Sequence, residues 1–501
     1  MLARAGLHDA SVPGRLERLI AAVPELALVT VQAAPQSEHP QPLVDALRHL
    51  LDTTPVDERR LALFAELSDA LPRQTRLFSS VAVTIAQILV GVRRTLAESD
   101  PDTYLPDLAQ SLNTLANRLA SVGRNEEALA PAQEAVAIRR GLSSAKPDAH
   151  IPALAQSLVT LAGRSADVGQ RHESRESAEE AVQLYQVLAG TEPEVHLPDF
   201  AEALNTLAIS LANSGRQAEA LTRAEEAFVI RQELVQTNPS AYLPDLARSM
   251  NTMTVQLTAM GHSVQAHETA ERATTLFRSL AGMDSDAHLA DLATSLGDLT
   301  RTLISMNRAE EALEPAREAV LLRRRLAENA PDAFAAPLAD SLTALADLLA
   351  ATGWPGGALR LAAEATRRWR SLAEHSDAHR PRLATALAVN AHALARQDRT
   401  DEAMTLGREA CDHYRASTRS DAAHSRIFAV LTYVLVKDAT PGQTILPLLD
   451  SLDPDRMLPA HADELLARTA GELRKAHESD PASVKQTIAS LGCPDTLDPL
   501  A

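Results

Sequence analysis

A short string that returns at a fixed interval decides what this chain can fold into. Leu-Pro-Asp-Leu-Ala at 105–109 comes back as Leu-Pro-Asp-Phe-Ala at 197–201 and as Leu-Pro-Asp-Leu-Ala at 243–247. Ile-Pro-Ala-Leu-Ala at 151–155 fills the interval, so the copies start at 105, 151, 197 and 243, each 46 residues after the last. A period of about 20 to 50 residues marks a solenoid, whose units are too small to bury a core alone and do so against their neighbours. Such an array offers a stacked-helix binding surface, and the repeat does not say for which molecule.

Each copy reads as a helical hairpin. Pro106 is expected at a helix start, where its missing N–H costs nothing. Asp107 in the first turn favours the helix dipole. Leu108, Leu112, Leu115 and Leu119 form one apolar stripe. Gly123 is expected to end that helix in the left-handed conformation. A second helix starts near Asn125 and carries Ala128, Leu129, Ala132, Ala135, Val136 and Ile138, with Pro147 and Asp148 expected to terminate the unit. The turn position continues as Gly169, Gly215, Gly261, Asn307, Gly353 and Asp398. Asn and Asp are the non-glycine residues that best tolerate that backbone region. The final step, 353 to 398, is 45 residues, so one deletion has occurred. A ring precedes each first helix: Tyr104, His150, His196, Tyr242, His288, Phe334 and His379. Histidine alternating with Tyr and Phe points to packing at the joints, not to metal ligation.

The array opens early and fades late. Leu-Val-Gly-Val-Arg-Arg-Thr-Leu at 89–96 lies 46 residues before Ala-Val-Ala-Ile-Arg-Arg-Gly-Leu at 135–142, so an opening half-repeat begins near Ser79. Residues 24–31 fit a short strand or a buried helix end, and so short a run cannot decide between them. Short helices are expected over 43–51 and 57–71, after a polar, proline-rich linker at 36–42. Beyond Tyr414 the pattern weakens. One more first helix at 427–436 and less regular helices at 443–451, 459–478 and 482–491 would cap the last apolar face. The organisation expected is an N-terminal segment, linker remnant or small capping element over 1–58, then opening helices and a half-repeat over 59–104. The array follows over 105–425, with capping helices and a tail over 426–501.

Composition narrows the function classes. A net charge of −18 argues against a nucleic-acid binder, which needs a basic face. Cys411 and Cys493 fit neither a zinc knuckle nor a disulfide framework. Pro24 and Glu25 interrupt the run from Leu19 to Val31, so no signal peptide is expected. The apolar stretch from Val81 to Val92 is read as too short to span a bilayer. The expectation is a cytoplasmic protein that neither enters a membrane nor binds nucleic acid. Lysine at four positions only, against abundant Arg and Ala, hints at a bacterial source.

These residues resemble tetratricopeptide repeats. In that motif a Leu, a small residue and a large residue three further on mark the first helix, and two alanines seven apart mark the second. Here they are Leu115, Ala116, Leu119, Ala128 and Ala135. The first alanine position continues as Ser174, Ala220, Ala266, Ala312, Ala358 and Ala403, and the second as Ala181, Ala227, Ala273, Ala319, Ala365 and Ala410. Small side chains there let two helices approach closely. The period exceeds the usual 34 residues, as in the long repeats of kinesin light chains and many actinobacterial proteins. The resemblance implies an all-α fold, a right-handed α-solenoid of helix-turn-helix repeats.

It also implies that first helices line an inner, concave face that grips a peptide or helix of a protein partner. Carried over by position, that face includes Gln110, Asn113, Asn117, Glu202, Asn205, Asn213, Arg248, Asn251, Arg301, Asp340, Asp347, His392 and Arg396. Asn113, Asn205 and Asn251 share one register position, where an amide can hold a peptide backbone or can stabilise neighbouring helices. Val159 and Gly297 break that ladder. The lysines of a terminal-carboxylate clamp are missing from the matching positions.

The sequence contains no P-loop, no His-Glu-x-x-His and no Gly-x-Ser-x-Gly. Ser143 and Lys146 satisfy Ser-x-x-Lys inside a repeat linker, where chance explains them. No cofactor or metal is expected, and no catalysis. Two functions remain: an interaction scaffold, with self-association as one form of it, or the sensor arm of a bacterial NTPase-type signalling system without a nucleotide site of its own.

Overall fold

The computed structural model describes residues 26–33, 41–53, 58–71 and 78–415 apart from 284 and 330. The expected capping helices over 426–501 lie outside the described residues. Every regular element among the described residues is helical. Three short helices, α1 Leu26–Ala33, α2 Gln41–Thr53 and α3 Glu58–Ala70, precede α4 Ser79–Ser99. The ambiguous run at 24–31 thus resolves as helix from Leu26 onward. Ala27, Val31, Leu47, Leu50, Phe64 and Leu67 pack with Phe78, Ile85 and Leu89 in one core, so α1–α3 close over one side of the half-repeat.

Hairpins follow: α5 Pro101–Ser121 with α6 Asn125–Ala145, α7 Pro147–Asp167 with α8 Arg171–Thr191, and α9 Pro193–Asn213 with α10 Gln217–Thr237. Then come α11 Pro239–Ala259 with α12 Ser263–Met283, α13 Ser285–Ser305 with α14 Ala309–Asn329, and α15 Pro331–Ala351 with α16 Pro355–His375. A shorter pair, α17 Arg380–Ala395 and α18 Thr400–Arg415, ends the described array. The period now has a mechanical explanation. Each helix from α5 to α16 has 21 residues, a three-residue turn joins the two, and in the first repeats a single residue leads to the next. The extra length over a 34-residue unit therefore lies in the helices.

The repeated Leu-Pro-Asp is not a helix start. α5 begins at Pro101, capped by the Asp100 carboxylate, which accepts from the Thr103 amide at 3.4 Å. Asn238 caps α11 in the same way. Pro101, Pro147, Pro193, Pro239 and Pro331 stand at the first helical position, so Pro147 opens a repeat where the sequence reading had it close one. Pro106, Pro152, Pro198, Pro244 and Pro337 then sit inside their helices. Pro106 leaves the Asp102 carbonyl without its amide partner, on an exposed first turn where water can solvate it.

The turns follow the sequence closely. Gly123, Gly169, Gly215, Gly261 and Gly353 have φ between 76° and 84°, and Asn307 and Asp398 have 58° and 59°. At the first turn the Arg124 amide reaches back to the Leu119 carbonyl and the Gly123 amide to Ala120, the double closure that satisfies orphan carbonyls at a helix end. Arg124, Arg216, Arg308 and Arg399 each pair with a glutamate three residues on, which anchors the start of the second helix.

The described chain divides into two units, one of 1–260 with 275–289 and 328–333, the other of 261–274, 290–327 and 334 onward. In the first unit Leu154, Leu158, Tyr185, Leu204 and Leu207 form a core with the small residues between them. In the second, Leu303, Val320, Leu338, Leu342, Trp369 and Leu387 do the same. The marker alanines are at most 2% exposed throughout. Ser174, the exception in that series, is buried and shares a 2.7 Å hydrogen bond with Ser210. The apolar stretch at 81–92 lies within the 21-residue α4. That helix and Ala333–Ala351 are long and apolar enough to cross a membrane, which corrects the length argument made from sequence. Val81, Ile85 and Leu89 of α4 are buried against neighbouring helices.

Candidate functional site

First helices of the first unit pack against one another as well as against their hairpin partners: α5 meets α7, α7 meets α9 and α9 meets α11. Consecutive second helices are tied instead by long side chains, Arg94 to Glu134 at 2.6 Å and Arg140 to Glu180 at 2.5 Å. The face that first helices leave open repeats with the period. Gln110 and Asn117 on α5, Gln156 on α7, and Glu202, Ile209 and Asn213 on α9 are exposed, as is Val255 on α11 beside half-exposed Arg248. Spacings of seven and four put these residues on one side of each helix. Asn117 Oδ1 accepts from Arg164 Nη1 across the α5–α7 joint at 3.3 Å. Arg248 pairs with Asp245 within α11.

The residues singled out from sequence separate into two groups. Gln110, Asn117, Glu202, Asn213 and Arg301 are exposed, and Arg248, Asp340 and Arg396 are half-buried. Asn113, Asn205, Asn251, Asp347 and His392 are buried, between 1% and 8% exposed. The asparagine ladder therefore lies in the joint between repeats and not on the open face. Asn113 Nδ2 donates to Ser157 Oγ of the next first helix at 2.7 Å, the helix-stabilising role. In the second unit Asp340 accepts from Arg382 at 3.2 Å, Arg301 pairs with buried Asp298 at 2.8 Å, and Arg396 caps α17. Asp347 and His392 occupy one register position once the deletion is counted.

All seven ring residues are half-buried, six in the first turns of first helices and His379 at the end of the 3-10 turn Asp377–His379 that leads into α17, as expected of packing. His379 lies 5.7 Å from the Trp369 ring. No group of three or more metal-ligating side chains occurs among the described residues.

A further register position, overlooked in the sequence, runs along the second helices: Arg93, Arg139, Tyr185, Arg231, Phe277, Arg323 and Trp369, each 46 residues on. Arg93 Nη1 donates to the Asp107 carbonyl at 3.3 Å and to Ser111 Oγ at 2.5 Å. Arg231 makes the same pair of bonds to Asp245 and Ser249, and Arg323 to Pro337 and Ser341. Each reaches from a second helix into the following first helix, 14 and 18 residues on. Arg231 is further held by Glu202. Burial pushes Arg323 below the usual guanidinium value, opposed by Asp340 and Asp298. Its guanidinium approaches Gly297 at the ladder position, where an added Cβ would lie 3.6 Å from Nη2. The break in the asparagine ladder thus marks an arginine packed into the vacated space. The signal for this series was present in the sequence, as Arg alternating with aromatic residues from 139 onward.

The model of the tetratricopeptide repeat family matches residues 108–147, 200–240 and 292–332. The chain carries tetratricopeptide repeats. The matched segments recur every 92 residues, two structural repeats, and each ends with a second helix that carries Arg139, Arg231 or Arg323. Among solved structures, the chain is similar to BtubC (BKLC) from P. vanneervenii at 21% identity and a TM-score of 0.39, over 50% of this chain and 92% of that one. It is similar to the apo form of RapI at 11% identity and a TM-score of 0.48, over 77% and 96%. A signal-transduction ATPase with a tetratricopeptide repeat sensor from Pyrococcus horikoshii matches at 13% identity and a TM-score of 0.44, over 95% and 74%. No curated protein matches the chain.

Proposed function

We propose that this repeat array is a non-catalytic scaffold that holds a peptide or helix of a protein partner along the open face of its first helices. Tetratricopeptide repeats support protein-interaction and regulatory roles. The observation that carries the reading here is the pairing of Ile209 and Val255 at one register position of consecutive first helices, 42% and 38% exposed. They are flanked by the hydrogen-bonding side chains of Asn117, Glu202, Asn213 and Arg248. Two apolar side chains with a polar rim suit an amphipathic or extended ligand. In the second unit Arg301 stands at the register position of Ile209 and Val255, and Asp340 at that of Glu202 and Arg248. The buried members of the series, Asn113, Asn205 and Asn251, lie beneath the open face, where Asn113 bridges to the next first helix. The reading places the chain in the cytoplasm with a protein or peptide partner, and a second copy of the chain is one such partner.

The test is selection of peptides from a random library on the full chain, followed by photo-crosslinking from a reactive residue at Ile209 or, for comparison, at exposed Val229 on a second helix. Crosslinks at 209, with binding cut tenfold or more by Ile209→Glu and Val255→Glu, are expected. Crosslinks at 229 alone, or binding indifferent to both substitutions, would overturn the assignment of the face.

A further inference from the structure

Arg139 differs from its counterparts. Its side chain is buried, the residue being only 6% exposed, yet it makes none of their hydrogen bonds; its Nε, like that of Arg93, is buried without a partner. Two sequence differences and one change of hydrogen-bond partner account for this. Where Arg231 is met by the carboxylate of Glu202, the position 92 residues earlier is Gln110. Where Arg93 has Asp107 beside it at 3.9 Å, the residue 46 further on is Ala153. Ser157, the counterpart of Ser249, accepts instead from Asn113, whose own Oδ1 is buried and unpartnered. Burial lowers the Arg139 pKa from its ordinary value, the mark of a desolvated cation. The Asp107 carboxylate opposes that desolvation at Arg139, and it already faces Arg93.

A buried guanidinium costs free energy unless a charge and hydrogen bonds compensate it. Glu202 shows, inside the same molecule, what compensates this position: one carboxylate arriving from the open face of the first helices. Gln110 leaves that approach neutral at Arg139. We infer that Arg139, at the position Gln110 leaves neutral, is a subsite for a single carboxylate of the bound partner, an acidic side chain or a chain terminus. The inference rests on the scaffold reading above and adds a chemical preference to one end of its face. A planar guanidinium matches a carboxylate with two parallel donors. The chain's net charge of −18 opposes non-specific capture of acids, so binding of an acidic probe reports a local site.

The experiment uses the full chain and three labelled probes in anisotropy titrations. These are acetylated, amidated hexaglutamate, its hexaglutamine counterpart, and a hexaglutamine with a free C-terminus. Hexaglutamate alone binding identifies a side-chain carboxylate, and the free-terminus peptide binding as well as or better than hexaglutamate identifies a terminal one. Arg139→Gln is expected to weaken the preferred acidic probe tenfold or more and to leave its advantage over amidated hexaglutamine below twofold. Because Arg139 is buried and its variant can lose folding, Gln110→Glu provides the second arm on an exposed residue. It recreates the Glu202–Arg231 pair internally, so it is expected to weaken the same probe at least tenfold while raising the melting temperature. Gln156→Glu, one repeat on above Tyr185, adds the same charge without that pair and is expected to cost at least fivefold less in affinity. Equal losses for both glutamates, or an unchanged preference in folded Arg139→Gln, overturn the subsite. If library-selected peptides still crosslink at Ile209 in that case, the scaffold reading stands without it.

Discussion

Arg231 Nη1 donates to Ser249 Oγ at 2.7 Å, from the second helix of one repeat to the first helix of the next. The same bond joins Arg93 to Ser111 and Arg323 to Ser341. Where the arginine position holds Tyr185 or Trp369, the serine position holds Ala203 or Leu387. The joint therefore has two solutions, a hydrogen-bonded guanidinium over serine or an aromatic ring over an apolar side chain. Matched pairs follow from the cost of burying polar atoms without partners, about 1 to 3 kcal/mol each.

Exchanging one solution for the other tests that account. Arg231→Ala removes a buried side chain with its bonds to Asp245, Ser249 and Glu202, and should cost about 2 to 4 kcal/mol. Arg231→Tyr with Ser249→Ala transplants the Tyr185 and Ala203 pair, and should fall within about 1 kcal/mol of the parent, since volume and polarity change together. Urea unfolding followed by circular dichroism would compare the two. A double variant as unstable as Arg231→Ala would show that the joints are not interchangeable.

The inter-helix turn should tolerate residues in the order its own copies display. Gly215 has φ +79° and open space where a Cβ would go, so substitution is limited by backbone strain alone. Gly215→Ala should cost about 1 to 2 kcal/mol, and Gly215→Asn clearly less, because Asn307 already occupies the same conformation at φ 58°. Thermal melts of both variants check the ranking. Equal costs would mean that the asparagine side chain adds nothing at this position.

Helix number, the turn residues and the small-residue joints were legible because each has a local cause: the Leu108-to-Leu119 stripe, the left-handed turn at Gly123, the tight contact at Ala128 and Ala135. The helix starts were misplaced by five residues, since Leu-Pro-Asp is the more conspicuous string, although proline at the first helical position recurs in five copies and the cap residue before it is what varies. The candidate face was half legible. Register alone puts Asn113 and Asn117 on one helix side, but four residues turn an α-helix through about 400°, enough to carry Asn113 under the next first helix while Asn117 stays open. The arginine series was missed because its partners lie on the following helix, at spacings no single-helix pattern displays.

The internal prolines yield a prediction opposite in sign to the usual one for a repeated residue. Pro106 lies three positions beyond the last amide the helix start leaves free, that of Thr103, so it removes a real bond to the Asp102 carbonyl. An interior proline is about 3 kcal/mol worse than alanine in an unstrained helix. Part of that is recovered in the unfolded chain, which proline also restricts. Pro106→Ala should therefore stabilise the array by about 1 kcal/mol, read as a higher melting temperature and slower amide exchange at residue 106 than in its neighbours. A loss of stability would show that the proline bend is needed to seat the first turn on the preceding repeat.

Asp298 gives the clearest pH dependence. It is buried at a register position held by Thr114, Thr160, Thr206 and Thr252 in earlier copies. Burial raises its pKa above the ordinary 3.8, with Arg301 and Arg323 pulling it back. An acid whose folded pKa is raised keeps its proton in the folded state after the unfolded chain has lost its own. The stability it contributes is thus present below the unfolded value and is lost as pH climbs through the folded one. Asp298→Asn removes the ionisation while keeping size and hydrogen-bonding capacity. The variant should melt above the parent at pH 7, and the gap should close as the pH falls to about 3, where both side chains are neutral. Melting curves across that range would test the sign. A parent that outlasts the variant at pH 7 would mean that the pair with Arg301 outweighs the burial of the charge, and that this repeat departs from threonine to gain an ion pair.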